Sequence, residues 1–151
     1  MMKKTDGVIC VLSYSLFLRD DSEERGASVA DVVRHINHIR KVAGVDHICI
    51  GGDFNGLPTN TTAEGWKDVA EYPNVFAELI DHTEDYEWTD DDLAKISNKN
   101  LLRVFKKVEE VRDIMKRGNY RPLTKWIPLR DFKEEDLQCR SEKMFVDKFQ
   151  G

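Results

Sequence analysis

The chain has 151 residues, of which 40% are hydrophobic, 34% charged and 9% aromatic, enough apolar material for one ordinary core and too much for a disordered tail. Its 23 Lys and Arg against 28 Asp and Glu leave a net charge of -5, which excludes duplex DNA or RNA as a partner held through a basic face. No run approaches the roughly 18 apolar residues of a membrane span, the start Met1-Met2-Lys3-Lys4-Thr5-Asp6 lacks the pattern of a signal peptide, and three cysteines without Cys-x-x-Cys spacing exclude a zinc ribbon.

The charge is uneven. Residues 1 to 98 hold 9 basic and 19 acidic residues, whereas residues 99 to 151 hold 14 and 9, which sets a composition boundary near residue 99. Gly7 to Leu18 (GVICVLSYSLFL) is a short apolar run rich in β-branched and aromatic residues, and it reads as a strand buried on both sides, followed by a polar loop from Asp20 to Gly26. Ser28 offers an N-cap to a helix whose apolar stripe is Val29, Val32, Val33, Ile36, Ile39 and Ala43, with Gly44 as its stop. Val45 to Ile50 (VDHICI) is the next buried strand and runs directly into the turn Gly51-Gly52-Asp53-Phe54-Asn55-Gly56. Strand, helix, strand predicts a parallel crossover unit.

After a polar loop, Pro73 opens a helix predicted to carry Val75, Phe76, Leu79 and Ile80 inward. Between Asp81 and Asp92 seven of twelve residues are acidic, a pattern of solvated helix-entry loops. Thr89, followed by Asp90, Asp91 and Asp92, caps a short helix to about Ile96. A longer helix, Asn100 to Arg117, gathers Leu101, Leu102, Val104, Phe105, Val108, Val111 and Met115 on a broad apolar face and meets Gly118. Asn119 onward shows no period and reads as a tail wrapping another surface.

Asp53 is the principal candidate for chemistry, because ligands of parallel sheets sit outside the carboxyl ends of the strands. Two readings of it stand side by side: a carboxylate in a space cleared by the flanking glycines, or a residue that merely caps the turn through backbone N–H groups. The histidines do not converge. His35 and His38 lie at the edge and on the far side of the apolar stripe, His47 reads as a hydrogen-bonded structural residue in mid-strand, and His82 as a solvated one in the acidic loop. Asn60-Thr61-Thr62 fits the glycosylation acceptor pattern. Cys10 and Cys49 fall inside apolar strands, where a small buried thiol is the default and nothing forces them to pair. No nucleophile elbow, phosphate loop or dinucleotide fingerprint is present.

Three segments carry a resemblance to a known family. VADVVRHINHIRKVAGVDHICIGGDFNG resembles the penultimate helix and last strand of the membrane (renal) dipeptidases, zinc metallopeptidases built on an eight-fold β/α barrel. WTDDDLAKISNKNLLRVFKKVEE is similar to that family's final helices, and IPLRDFKEEDLQCR to its C-terminal extension. The pairing of Gly-Gly-Asp-Phe with Asn-Leu-Leu-Arg-Val about 45 residues further on is the specific part. Two departures stand out: the family writes Asp-Phe-Asp-Gly where this chain has Asp53-Phe54-Asn55-Gly56, and glycines where Asn98 and Lys99 stand.

The resemblance implies an α/β chain made of the last two βα units of a (β/α)8 barrel with extra C-terminal helices and an extended tail, residues 1–118 forming the partial barrel and 119–151 the extension. It implies zinc-dependent hydrolysis of dipeptides, with Asp53 both catalytic and in contact with the substrate amine, while Asn55 lacks the pattern's second carboxylate. The family's two zinc ions are held by a His-x-Asp, a bridging Glu and two later His on earlier strands, and nothing in these residues matches them, so no metal ligand is expected in this chain. The resemblance also implies a parent protein lipid-anchored at the extracellular membrane surface and, in an oxidising compartment, a homodimer joined by a disulfide at Cys139, a free surface thiol there being the alternative in the cytosol; the acceptor pattern at Asn60 matters only if the parent is secreted, and the chain shows no signal peptide, anchor signal or transmembrane segment. Two strands cannot close a barrel, so the chain alone should leave strand edges and a helix face open, should be poorly folded, oligomeric or dependent on another chain, and should be inactive by itself. The alternatives are a non-catalytic truncated product or pseudoenzyme acting as a binding partner, and a free-standing small α/β binding domain.

Overall fold

The computed structural model describes residues 2–19, 26–58, 60–81 and 86–122. The chain divides into two compact units, Met1–Ile114 and Met115–Gly151. Of the second, only residues 115–122 are among those described, and Cys139, placed by the resemblance at a subunit link, lies outside them, as does His82.

A single helical turn, α1 (Met2–Thr5), precedes β1 (Ile9–Leu12). The predicted strand over residues 7 to 18 is thus much shorter and is not buried on both sides: Ile9 and Cys10 are exposed and Val11 alone is fully inward. Past Leu12 one more bond joins the strands, from the Ser13 N–H to the Gly52 carbonyl, and the backbone then leaves the ladder as Tyr14 pairs antiparallel with Thr62. One turn, α2 (Ser15–Leu18), then buries Leu18 and leaves Leu16 and Phe17 in solvent.

Helix α3 (Val29–Ala43) forms as its pattern predicts. Ser28 is extended, its N–H donates to Asp31 Oδ2 at 2.8 Å, and Arg34 holds the same carboxylate through its other oxygen. Gly44 closes the helix at φ 96°, where a side chain would be strained, and donates its N–H to the Arg40 carbonyl. Val32, Val33 and Ile36 are buried, each worth about 1.5–3 kcal/mol of burial.

The second strand, β2 (Ile48–Gly52), starts later than its apolar run suggests, because Val45–His47 forms a 3₁₀ turn. His47 therefore sits in that turn and not in mid-strand; its Nδ1 donates to the Gly7 carbonyl at 2.8 Å, which keeps the structural role expected of it. The strands are parallel, with Ile9, Cys10 and Val11 opposite Ile48, Cys49 and Ile50, and a shift that sets Leu12 against Gly52. Cys10 and Cys49 are joined by a disulfide, with Cα atoms 4.3 Å apart, so the default of two separate buried thiols is overturned. The cause is register: the crossover sets the two cysteines directly opposite each other.

A short 3₁₀ turn (Val69–Glu71) leads into α4 (Tyr72–Asp81), which buries Val75 and Leu79 against α3. Ile80, expected inward, is 50% exposed, since it lies one residue round the helix from Leu79 and no described element covers that side. The acidic run is only partly a solvated loop. Arg40 stacks over Tyr86 and Trp88 at 4.8 and 4.3 Å and pairs with Asp92 at 3.0 Å, while Trp88 Nε1 donates to Asn37. Thr89 and Asp92 cap α5 (Asp90–Ala94), which continues through a π-type turn (Lys95–Lys99) into α6 (Asn100–Arg117).

At its start α6 is held by polar groups. Asn100 Nδ2 donates to the carbonyls of Val45 and Ile48 at 2.7 and 2.8 Å, and Arg103 donates to those of Asp6 and Asp46. These bonds fasten the amino ends of both strands, and so tie Asn-Leu-Leu-Arg physically to the strand that ends in Gly-Gly-Asp-Phe. Replacing Asn100 with Leu removes one donor from each of two carbonyls, that of Val45 still accepting from the Ile48 N–H, and should lower unfolding free energy by about 1–3 kcal/mol. A urea midpoint unmoved by that substitution would refute the assignment. Much of the apolar face of α6 is uncovered among the described residues, with Leu102 61% and Phe105 63% exposed. In the second unit α6 ends at Arg117, just before Gly118, and Asn119 follows at φ 54°.

Candidate functional site

The carboxyl ends of both strands meet at one place. Ser13, fully buried, follows β1; its hydroxyl donates to the Trp66 carbonyl at 2.5 Å and accepts from the Ala63 N–H at 3.1 Å, so residues 63–66 are drawn beneath the strand ends. Asp53 follows β2, exposed, with φ 66°. Its N–H donates to the Gly51 carbonyl, and its own carbonyl accepts from Gly56 and Leu57. Among the described residues no hydrogen bond reaches its carboxylate. The turn is thus closed by main-chain bonds, and side-chain capping, the rival reading of Asp53, has no bond behind it here.

The flanking glycines serve a different purpose from the one their sequence suggests. A Cβ on Gly52, at φ 73°, would stand 2.7 Å from the Phe54 ring and from the Tyr72 hydroxyl, and one on Gly56 would stand 2.9 Å from Asp53 Oδ1. The space they clear is filled by the chain's own aromatic rings and by the Asp53 carboxylate. Phe54, Trp66 and Tyr72 meet edge to face, with centroids 5.4 to 6.0 Å apart, and form the floor of the turn. Sequence reasoning misses this floor, because Ala63 and Trp66 stand alone in a segment that otherwise looks like a polar loop; the one local signal is a Trp beside a glycine. Asn55 is exposed in the same turn, and Asn60 is exposed at φ 64° in the loop beyond.

The histidines stay apart. His35 Nε2 donates to the Leu18 carbonyl at 3.1 Å, His38 is exposed on α3, and His47 is committed to Gly7. Among the described residues no group of three or more His, Cys, Asp or Glu could hold a metal ion. The perturbed carboxylate lies elsewhere: hydrogen bonds from Lys99 and then Lys95 hold Asp91 below the usual carboxylate range. Being lowered in the folded chain, its small contribution to stability is present above the ordinary carboxylate range and is lost as pH falls through the lowered value.

Parallel strands joined by a helix form a β/α unit, with an exposed carboxylate at the carboxyl end of its second strand. The chain belongs to the membrane dipeptidase family, peptidase family M19, whose sequence model matches residues 1–119. Two uncharacterized dipeptidases of Schizosaccharomyces pombe are similar to it, one 36% identical over 110 residues and the other 37% over 111, each alignment covering 73% of this chain and 25% of the relative. The chain therefore spans about a quarter of the length of the curated relatives it matches. Members of this family are generally zinc-dependent hydrolases. Among the described residues no helix is long and apolar enough to cross a membrane.

Proposed function

We propose that this chain carries the substrate-amine side of a dipeptidase active site, in which Asp53 contacts the ammonium of a dipeptide and handles a proton as water cleaves the peptide bond. What carries the reading is the place of Asp53: an exposed carboxylate at the carboxyl end of β2, in a chain of the dipeptidase family. An α-amino group is largely protonated at neutral pH, and a carboxylate without competing donors around it is a natural counter-ion. The described residues do not fit the family's zinc site. The remaining groups of the site belong, on this reading, to further β/α units of the kind the longer relatives contain, and those units pack on the open strand edges of the two-stranded sheet. Residues 1–118 form the partial barrel and residues 119–151 its extension.

The test is reconstitution. The chain alone should take up no zinc stoichiometrically and hydrolyse no dipeptide, while the chain assembled with the preceding β/α units of a relative should do both. Two tight zinc sites on the isolated chain in isothermal titration would overturn this division of labour. The uncovered apolar face of α6 favours a second reading, a non-catalytic chain that binds a partner, for which an inactive assembly is the expected outcome. Export to an oxidising extracellular surface is supported by the Cys10–Cys49 bond, and there Cys139 would link two copies and Asn60 carry a glycan.

A further inference from the structure

We propose that the Cys10–Cys49 disulfide is a reducible clamp that fixes the turn carrying Asp53, so that this turn is ordered in the oxidised chain and loosened in the reduced one. That such loosening would also misplace the substrate carboxylate rests on the role given to Asp53 above; the clamp itself does not.

Three observations carry it. First, the bond joins residues directly opposite each other in the parallel register, and β2 runs from Cys49 through Ile50, Gly51 and Gly52 straight into Asp53. Second, the bond adjoins the irregularity that aims the turn. The register shifts between Val11 and Leu12, and a Cβ on Gly51 would stand 3.2 Å from Cys10 Cβ and 3.3 Å from the Val11 carbonyl. A two-stranded sheet is marginal by itself, so a covalent tie beside its irregular rung bears directly on whether the last rungs stay closed. Third, the two cysteines are unequal in access: Cys10 is exposed, whereas Cys49 is 2% exposed.

This inequality sets the order of the chemistry. The thiolate of an external dithiol attacks Cys10 Sγ, the S–S bond breaks, and its electron pair leaves on Cys49 Sγ, which takes a proton in its buried place. The second thiol of the reagent, deprotonated, then attacks its own sulfur in the mixed disulfide and displaces the Cys10 thiolate. One protein disulfide and one dithiol become two cysteine thiols and one reagent disulfide.

The experiment uses the full chain with Cys139→Ser, so that two thiols account for all the chemistry. Hydrogen–deuterium exchange is followed in peptides covering residues 48–57 and 30–40, before and after dithiothreitol, with alkylation and mass measurement reporting the thiols. Reduction should release two thiols and speed exchange in 48–57 at least about tenfold, with less than about a threefold change in 30–40, since only the clamped segment opens. A Cys10→Val/Cys49→Val variant should give the fast pattern with or without reductant. Two alkylatable thiols in the untreated chain, exchange in 48–57 unchanged on reduction, or equal loosening of 30–40 would each overturn the local clamp. Dipeptide hydrolysis is not read, so a failed role for Asp53 leaves this result standing, and the reverse also holds.

Discussion

Replacing Asp53 in an assembly that contains the remaining β/α units should lower kcat/KM for a dipeptide at least about a hundredfold, about 2.7 kcal/mol of barrier, with metal content nearly unchanged. The choice of substitution matters because Asp53 stands at φ 66°. Ala there carries a backbone penalty of about 1–2 kcal/mol, which would mix a loosened turn with a lost charge. Asn adopts this conformation readily and keeps the side chain's shape, so Asp53→Asn removes the charge alone. Both variants should lose activity, and Asp53→Asn should do so without a change in unfolding midpoint. Hydrolysis within about tenfold of the parent in the Asn variant would mean that the carboxylate neither holds the ammonium nor handles a proton.

How far the sequence reaches into this fold depends on the range of the interaction concerned. Helix α3 is legible because its cap, stripe and stop are local: Ser28, the three- and four-residue steps of Val29 to Ala43, and Gly44 need no knowledge of the rest of the chain. Strand limits are not, since an apolar run does not say where pairing begins, and β1 and β2 start and end where ladder bonds do. The disulfide is hidden for the same reason, because it follows from register. Ile80 and the face of α6 are plainly apolar in the sequence, yet apolarity does not name what covers it, and among the described residues nothing does. Asp53 stands out because a strand end followed by glycines is a local pattern, whereas its floor of Phe54, Trp66 and Tyr72 comes from three separated segments.

That floor makes Trp66 the residue whose truncation should cost most. It is fully buried, packs edge to face on Phe54 and Tyr72, and its carbonyl receives the Ser13 hydroxyl, so it joins the end of β1 to the turn after β2. Trp66→Ala should therefore destabilise the chain by about 3–5 kcal/mol, most of what a small domain has to lose. Its Nε1 has no hydrogen-bond partner among the described residues, so the indole contributes by packing and not through its N–H. Trp66→Phe keeps an aromatic ring and discards the unpartnered donor, and it should cost less than half as much as the Ala variant. Chemical denaturation of the two variants decides the matter: equal losses would mean that the N–H is satisfied and that packing is not the dominant contribution.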